Sequence, residues 1–441
     1  MALPAAHARR RGRALRLRPA AAGTLAVLAM TALAMTALAM TGCAGVSGTA
    51  RITAADASGD GTLRVGLILD NTGRQDFLNA PQLAAARLAI KEINAAGGHK
   101  GKPVELLPET ISQDTAAQAK ALVAAGADVV IGPTDSSRAP GAIDVLSHAK
   151  VAVVSPANAA GGLSKYRSGG YYFRTAAADI AQAPVLVKLA RDGGARTVAV
   201  VHEEGSYGKD VSAAVAAAAR QAGLDPVADA EFKPGQAGQA AAAAKAAAPD
   251  AVVLISREGA QGAIAELNNV GLAGRKLILS DGAVNQYGSG LGALALDGAR
   301  GILPGIFPTV DFQAKLVAVD PGLKDMTFAA ETYDAVNLAA IAAAAAQDDA
   351  GTSIAARLVA VSGGRAADGA QAADAAAACH SYQECAEAIR AGRRPDYDGE
   401  SGGINFDANG DVTAASYMVY SYGAGNLATM SGSETANSSG S

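Results

Sequence analysis

The sequence predicts an α/β protein built on more than one parallel sheet, and three observations lead there. Short Val/Ile/Leu-rich runs alternate with long Ala-rich stretches of helical composition along most of the 441 residues. The runs are continuously apolar, as strands covered by helices on both faces are, and do not alternate as in a sandwich. They are also more numerous than one doubly wound sheet commonly absorbs.

In chain order the expected strands are LRVGLIL (63–69), VELLPE (104–109), DVVIG (128–132), VAVVS (151–155), TVAVVH (197–202), DAVVLIS (250–256) and KLILS (276–280). Helices such as QLAAARLAIKEINAAG, DTAAQAKALVAAG and GKDVSAAVAAAARQAG lie between them. Gly97, Gly98, Gly126, Gly193, Gly194 and Gly223 stand where helices end, as C-terminal caps do. No heptad or repeat period is present, and the regular Val/Ile interruptions argue against a helical bundle. GYYFRTAAAD (170–179) and GARGILPGIFPTVDF (298–312) read as places where the chain changes lobe. The ending GINFDANGDVTAASYMVYSY (403–422) suits a strand pair about the Asn409-Gly410 turn.

Residues 1–42 carry six arginines and no acid, so removing them takes the net charge from -4 to -10. An acidic body argues against nucleic acid as a partner. The arginines precede an uncharged apolar stretch and then Met40-Thr41-Gly42-Cys43, the three-part pattern of an export signal. A small residue before a Cys at the end of such a run resembles the lipobox of bacterial lipoproteins. In that reading residues 1–42 are a signal peptide and Cys43 carries the lipid that anchors the chain to the outer face of the cell membrane. An uncleaved helical anchor and an ordinary cleaved signal are the other readings, and each also places the body outside the cytoplasm. Residues 43–61 read as a flexible tether and 423–441 as a disordered tail.

Three cysteines are an odd number for an exported chain. Lipidation of Cys43 leaves Cys379 and Cys385 to close a short disulfide loop worth roughly 2 kcal/mol. Cys379-His380 could otherwise be a metal pair, but nothing nearby completes a ligand set.

In open α/β sheets, ligands bind beyond the C-terminal ends of strands. Those positions hold Asp70-Asn71-Thr72-Gly73, Pro133 to Ser137, and Pro156 to Ala159 in the first half. In the second half they hold Glu203 to Gly208, Arg257-Glu258-Gly259 and Asp281-Gly282-Ala283. Hydroxyls and amides crowd the first set; acids and a tyrosine crowd the second. That distribution suits a carboxylate on one side and an ammonium on the other. Catalytic motifs are missing: there is no G-x-S-x-G, H-E-x-x-H or Walker A sequence, and no G-x-G-x-x-G after the first strand. No cofactor or metal is expected. Glu203 or Glu204 with Asp281 could in principle form an acid pair for glycoside chemistry, but carbohydrate sites want stacked aromatics and the chain has no Trp.

Taken together, LRVGLILDNTG, AARLAIKEINAAGG, VVIGPTDSS, VAVVSPAN, YYFRTAAAD, VAVVHEEGSYGKD, ETYDAVNLAA and GGINFDANGD resemble the branched-chain amino-acid-binding proteins of bacterial ABC transporters, from about Leu63 to Tyr422. The resemblance implies the type I periplasmic binding fold: two Rossmann-like lobes with parallel-sheet cores joined by a three-segment hinge. It also implies lobe 1 from 62–177 and 306–362, and lobe 2 from 178–305 and 363–422. By position, Ser136, with Ser137 beside it, stands for the serine that grips the ligand α-carboxylate. Ala157 and Ala159 stand in the loop that completes the grip. Ala159 replaces the usual Thr, so a hydrogen bond is missing or comes from elsewhere, with Asn158 as one source. Tyr207 stands for the tyrosine that covers the ligand, and Asp281 for the acid that meets the ammonium. Arg257 and Glu258 either reach a further polar group or pair with each other, and Asn71 adjoins the cleft. The implied function is capture of an amino acid, branched-chain by default, or a related small carboxylate, and delivery to ABC permease subunits. A ligand sensor with the same body, signalling to a membrane partner, is the alternative; a scaffold with a degenerate cleft is a third reading.

Overall fold

A computed structural model of the chain describes residues 50–364 and 376–437. The expected signal segment 1–42 and Cys43 lie outside the described residues. The first sheet is assembled from β1 (Arg64–Leu67), β2 (Glu105–Leu106), β3 (Val129–Ile131), β4 (Ala152–Ser155) and β5 (Tyr172–Arg174). Its spatial order is β2-β1-β3-β4-β5, and every pairing is parallel. Val65, Leu67, Val129, Ile131 and Val154 face one buried cluster, while Ile68, Val130 and Val153 face another on the opposite side. Burial on both faces is why these strands read as unbroken apolar runs.

A second sheet repeats the plan with β6 (Thr197–Glu203), β7 (Asp225–Phe232), β8 (Ala251–Ile255), β9 (Leu277–Leu279) and β10 (Arg300–Pro304). After β11 (Ala377–Cys379) and β12 (Pro395–Tyr397), which form a separate two-stranded sheet, come β13 (Ala414–Tyr422) and β14 (Ala428–Asn437). The second sheet runs β14-β13-β10-β9-β8-β6-β7, with β13 and β14 antiparallel additions. Among the described residues the chain passes between the sheets three times: after Arg174, after Pro304, and between Val412 and Ala414.

Three boundaries differ from the sequence expectation. Residues 377–412 were expected in lobe 2 but pack on lobe 1. Helix Tyr382–Arg390 and Tyr397, Ile404 and Phe406 join the cluster around helix Ala329–Ala346. Buried Asp334 on that helix fixes the segment, accepting from Tyr397 Oη (2.7 Å), the Glu400 amide (3.0 Å) and the Ser401 amide (2.7 Å). Cys379 and Cys385 form a disulfide with a Cα–Cα distance of 5.3 Å, which excludes the metal-pair reading.

The tail expected at 423–441 contains β14, paired with β13 from Tyr422↔Ala428 to Ala414↔Asn437. Its small polar residues gave no apolar signal because backbone hydrogen bonds hold this edge strand. The tether expected at 43–61 is packed over its described part. Arg51 Nη1 donates to the Tyr172 carbonyl (2.8 Å), with its guanidinium 4.5 Å over the Phe173 ring. The amides of Ser58, Gly59, Asp60 and Gly61 donate to the buried carboxylates of Asp348 and Asp349. Two adjacent buried acids need donors, and this strap supplies them. The turn at Asn409-Gly410 exists, closed by Asp407, but it carries an isolated bridge, Phe406↔Val412, in place of the expected strand pair; β13 belongs to the other lobe.

Candidate functional site

The C-terminal ends of both sheets face one cleft of about 1220 Å³, somewhat above the ~300–1,000 Å³ usual for small-molecule pockets. On the lobe 1 wall, buried Asp70 after β1 accepts from the amides of Thr134 (2.8 Å) and Asp135 (3.1 Å), which shapes the loop after β3. Ser136 stands on that loop. Its Oγ accepts from the amides of Ala159 (3.2 Å) and Ala160 (3.3 Å), tying the loops after β3 and β4 together. Ser137 Oγ donates to Asp135 (2.7 Å). Ala157 and Ala159 line the cleft.

Asn158 does not. It is fully buried, with its amide nitrogen on the Thr134 carbonyl (3.0 Å) and its amide oxygen accepting from Tyr172 Oη (3.1 Å). It therefore does not replace the Thr missing at Ala159, since both ends of its side chain are engaged inside lobe 1. Asn71 lines the cleft, but its amide donates to Asn79 and Thr134 (both 3.0 Å).

Beneath this wall lies a residue that the sequence reading passed over. Arg174, at the end of β5, is fully buried. Its Nε donates to Asp411 (2.7 Å), its Nη1 to the carbonyls of Asn158 (3.3 Å) and Ala160 (3.0 Å), and its Nη2 to Ser164 (2.7 Å). One guanidinium thus holds the Ala157–Ala160 loop to the third crossing.

On the lobe 2 wall, Tyr207 Oη donates to Asp281 Oδ1 in a short hydrogen bond and lies 3.0 Å from Ser280 Oγ. Gln182 braces the same acid, donating to Oδ1 (2.9 Å) and accepting from the Asp281 amide (3.2 Å). Burial, with the neighbouring Asp281 charge, pushes the Tyr207 hydroxyl well up, so it stays a donor. Glu203 does not face Asp281 as a catalytic partner. Its carboxylate accepts from Ser256 Oγ (2.6 Å) and the amides of Arg257 (2.9 Å) and Gly259 (3.0 Å). Burial pushes that carboxyl up, but these hydrogen bonds outweigh it and hold it below the usual range.

Arg257 and Glu258 do not pair with each other. The Arg257 guanidinium lies 4.1 Å from the Tyr207 ring centroid and 3.3 Å from Asp179. Glu258 is exposed and is not among the described lining residues; it lies within the turn whose amides Glu203 binds.

Asp179 and Glu331 also line the cleft, and neither was singled out from the sequence. Asp179 lies in the first crossing; Glu331 begins the ETYDAVNLAA helix, where an acid in a first turn looks like ordinary helix chemistry. Burial pushes Asp179 up to about 6, with Arg257 opposing and Asp281 adding to the shift. Burial pushes Glu331 up to about 7. Among the described residues, the charged ones in the lining are five acids (Asp135, Asp179, Asp210, Asp281 and Glu331) and one base, Arg257.

A pH dependence follows. A carboxyl raised in the folded state holds its proton more tightly there than in the unfolded chain, so its contribution to stability is full below the unfolded value. That contribution is lost as pH rises through the folded value. For Glu331 the window runs from the ordinary 4.5 to about 7. Glu331→Gln is expected to flatten the fall in melting temperature between those limits, read by thermal denaturation across the pH range. An unchanged slope would show that Glu331 titrates normally.

Residues 62–391 match the profile of the family described as "Periplasmic binding protein". A leucine-, isoleucine-, valine-, threonine- and alanine-binding protein of Pseudomonas aeruginosa is 30% identical over 173 residues, which is 37% of this chain and 44% of that relative. The match thus spans less than half of the relative. Among solved structures, a branched-chain amino acid transporter substrate-binding protein of Streptococcus pneumoniae, in complex with isoleucine, superposes with a TM-score of 0.56 at 20% identity. It covers 85% of this chain and 99% of that one. A solute-binding protein of an ABC transporter from R. palustris, in complex with 4-hydroxybenzoate, gives 0.58 at 16% identity, covering 85% and 97%. At such identities the likeness concerns the fold alone.

Proposed function

This chain belongs to the periplasmic binding protein family, and from that premise we propose that it captures a free amino acid, branched-chain by default, between its two lobes for an ABC importer. The observation that carries the reading is the facing of two polar poles across one cleft. Ser136 Oγ accepts from the Ala159 and Ala160 amides, which leaves its hydroxyl hydrogen to donate to a ligand carboxylate oxygen in the cleft it lines. Asp281, braced by Tyr207 and Gln182, offers the ammonium an acceptor from the other lobe. A zwitterion that bridges both poles draws the lobes together, and the three chain crossings serve as the hinge.

Binding without chemistry suits the lining. No histidine, cysteine or lysine is among the described lining residues. The apolar share of the wall, including Leu163, Met326 and Phe328, suits an aliphatic side chain. The sequence further supports export and a lipid on Cys43, which would hold the body at the outer face of the membrane beside its permease subunits.

Thermal denaturation against L-leucine, L-isoleucine, L-valine, the remaining amino acids and benzoate tests this reading. A ligand at a hundred times its Kd stabilises the folded state by about 2.7 kcal/mol. A melting rise with an amino acid, lost in Ser136→Ala, supports the reading. A rise with benzoate alone, or none at all, contradicts it.

A further inference from the structure

We propose that Arg257 is a resident competitor for the ligand's ammonium: its guanidinium sits in a cation cage made of the Tyr207 ring face and the Asp179 carboxylate, and it leaves when the ammonium enters. The inference rests on the amino-acid reading above for the identity of the incoming group, while the cage itself is a feature of the protein. At 4.1 Å from the ring centroid, the guanidinium lies well inside the ~6 Å reach of cation–π attraction. Nη2 stands 3.3 Å from both Asp179 oxygens.

The two partners are unequally held. Asp179 is fixed, its side chain only 6% exposed and its amide donating to the Ala159 carbonyl (2.7 Å). Arg257 is 53% exposed and free to swing into solvent. Its stem crosses the backbone of the Asp281 loop: a Cβ at Gly282 would lie 2.6 Å from Arg257 Cγ. The guanidinium therefore lies beside the acid that receives the ammonium, on the face of the tyrosine that braces that acid. Two cations cannot share that space without repulsion in a partly desolvated cleft.

The consequence is selectivity. A simple amine must displace Arg257 with one interaction. An amino acid displaces it while its carboxylate is gripped by the Ser136 side of the cleft. Arg257 thus raises the threshold for small cations and admits molecules that carry both charges.

The test uses wild type, Arg257→Met (which keeps an apolar stem on Tyr207) and Arg257→Met combined with Asp179→Asn. Each is titrated with L-leucine by calorimetry and with millimolar methylguanidinium by thermal denaturation at matched ionic strength. The single variant is expected to bind L-leucine roughly tenfold more tightly, the size of one partly desolvated cation–ring contact. It should also gain a methylguanidinium-induced melting rise that wild type lacks and the double variant loses. Loss of leucine affinity in Arg257→Met would mean that Arg257 holds the ligand carboxylate and would overturn the proposal, as would no gain of methylguanidinium binding. If methylguanidinium binding appears as described while neither protein binds any amino acid, the cage stands and the amino-acid reading fails.

Discussion

Asp281→Asn should lower amino-acid affinity by about a hundredfold or more while leaving the melting temperature without ligand nearly unchanged. Removing one partner of a buried charge pair costs about 2–5 kcal/mol, much of it from stranding the other charge. Here the stranded charge is the ligand ammonium, a group that cannot shed its proton cheaply at neutral pH. Asp281 is held by Tyr207 and Gln182, and an amide of the same shape can keep much of that bracing, so the effect should fall on binding. Calorimetric titration of the variant checks this. Affinity within threefold of wild type would place the ammonium elsewhere, with Asp179 the lining acid whose charge interacts with Asp281.

The second large effect is on stability. Arg174→Met should destabilise the protein by about 3–5 kcal/mol, the usual result of breaking a buried ion pair from one side. Its side chain has no exposure, and its loss strands Asp411 together with the carbonyls of Asn158 and Ala160. Because those carbonyls belong to the loop carrying Ala159, ligand affinity should fall as well. The pairing of both losses separates this position from an ordinary core residue. Urea denaturation and calorimetry on the same sample measure them. A change under 1 kcal/mol would mean that the loop and Asp411 are held by other contacts.

The apolar strands were legible because burial on two faces leaves a continuous hydrophobic record: β1, β3, β4, β8 and β9 fall inside expected runs, and β6 outruns its own by one residue, Glu203. β7 was not: DPVADAEF carries three acids, and it lies at the sheet edge, where one side needs no apolar partner. The same physics hid β14. The allotment of 377–412 to the wrong lobe had another cause. Its anchor is one buried carboxylate, Asp334, whose hydrogen bonds to residues 397–401 span more than sixty positions, and no local pattern records such a partnership.

The cleft was partly legible. Ser136, Tyr207 and Asp281 follow strand ends, so topology alone brings them to one edge. Asp179 and Glu331 reach the cleft from a crossing segment and a helix start, and buried Gln182 braces Asp281 from behind; strand-end reasoning visits none of these places. Asn158 illustrates the opposite error. Its position in the loop is right, yet its side chain turns inward to Thr134 and Tyr172.

Small-angle X-ray scattering before and after saturation with L-leucine would probe the coupling of occupancy to shape. The account expects the radius of gyration to fall on saturation in wild type and to stay put in Asp281→Asn at the same concentration. Calorimetric proof of leucine binding to wild type with an unaltered scattering curve would show that the two walls do not act on one molecule together.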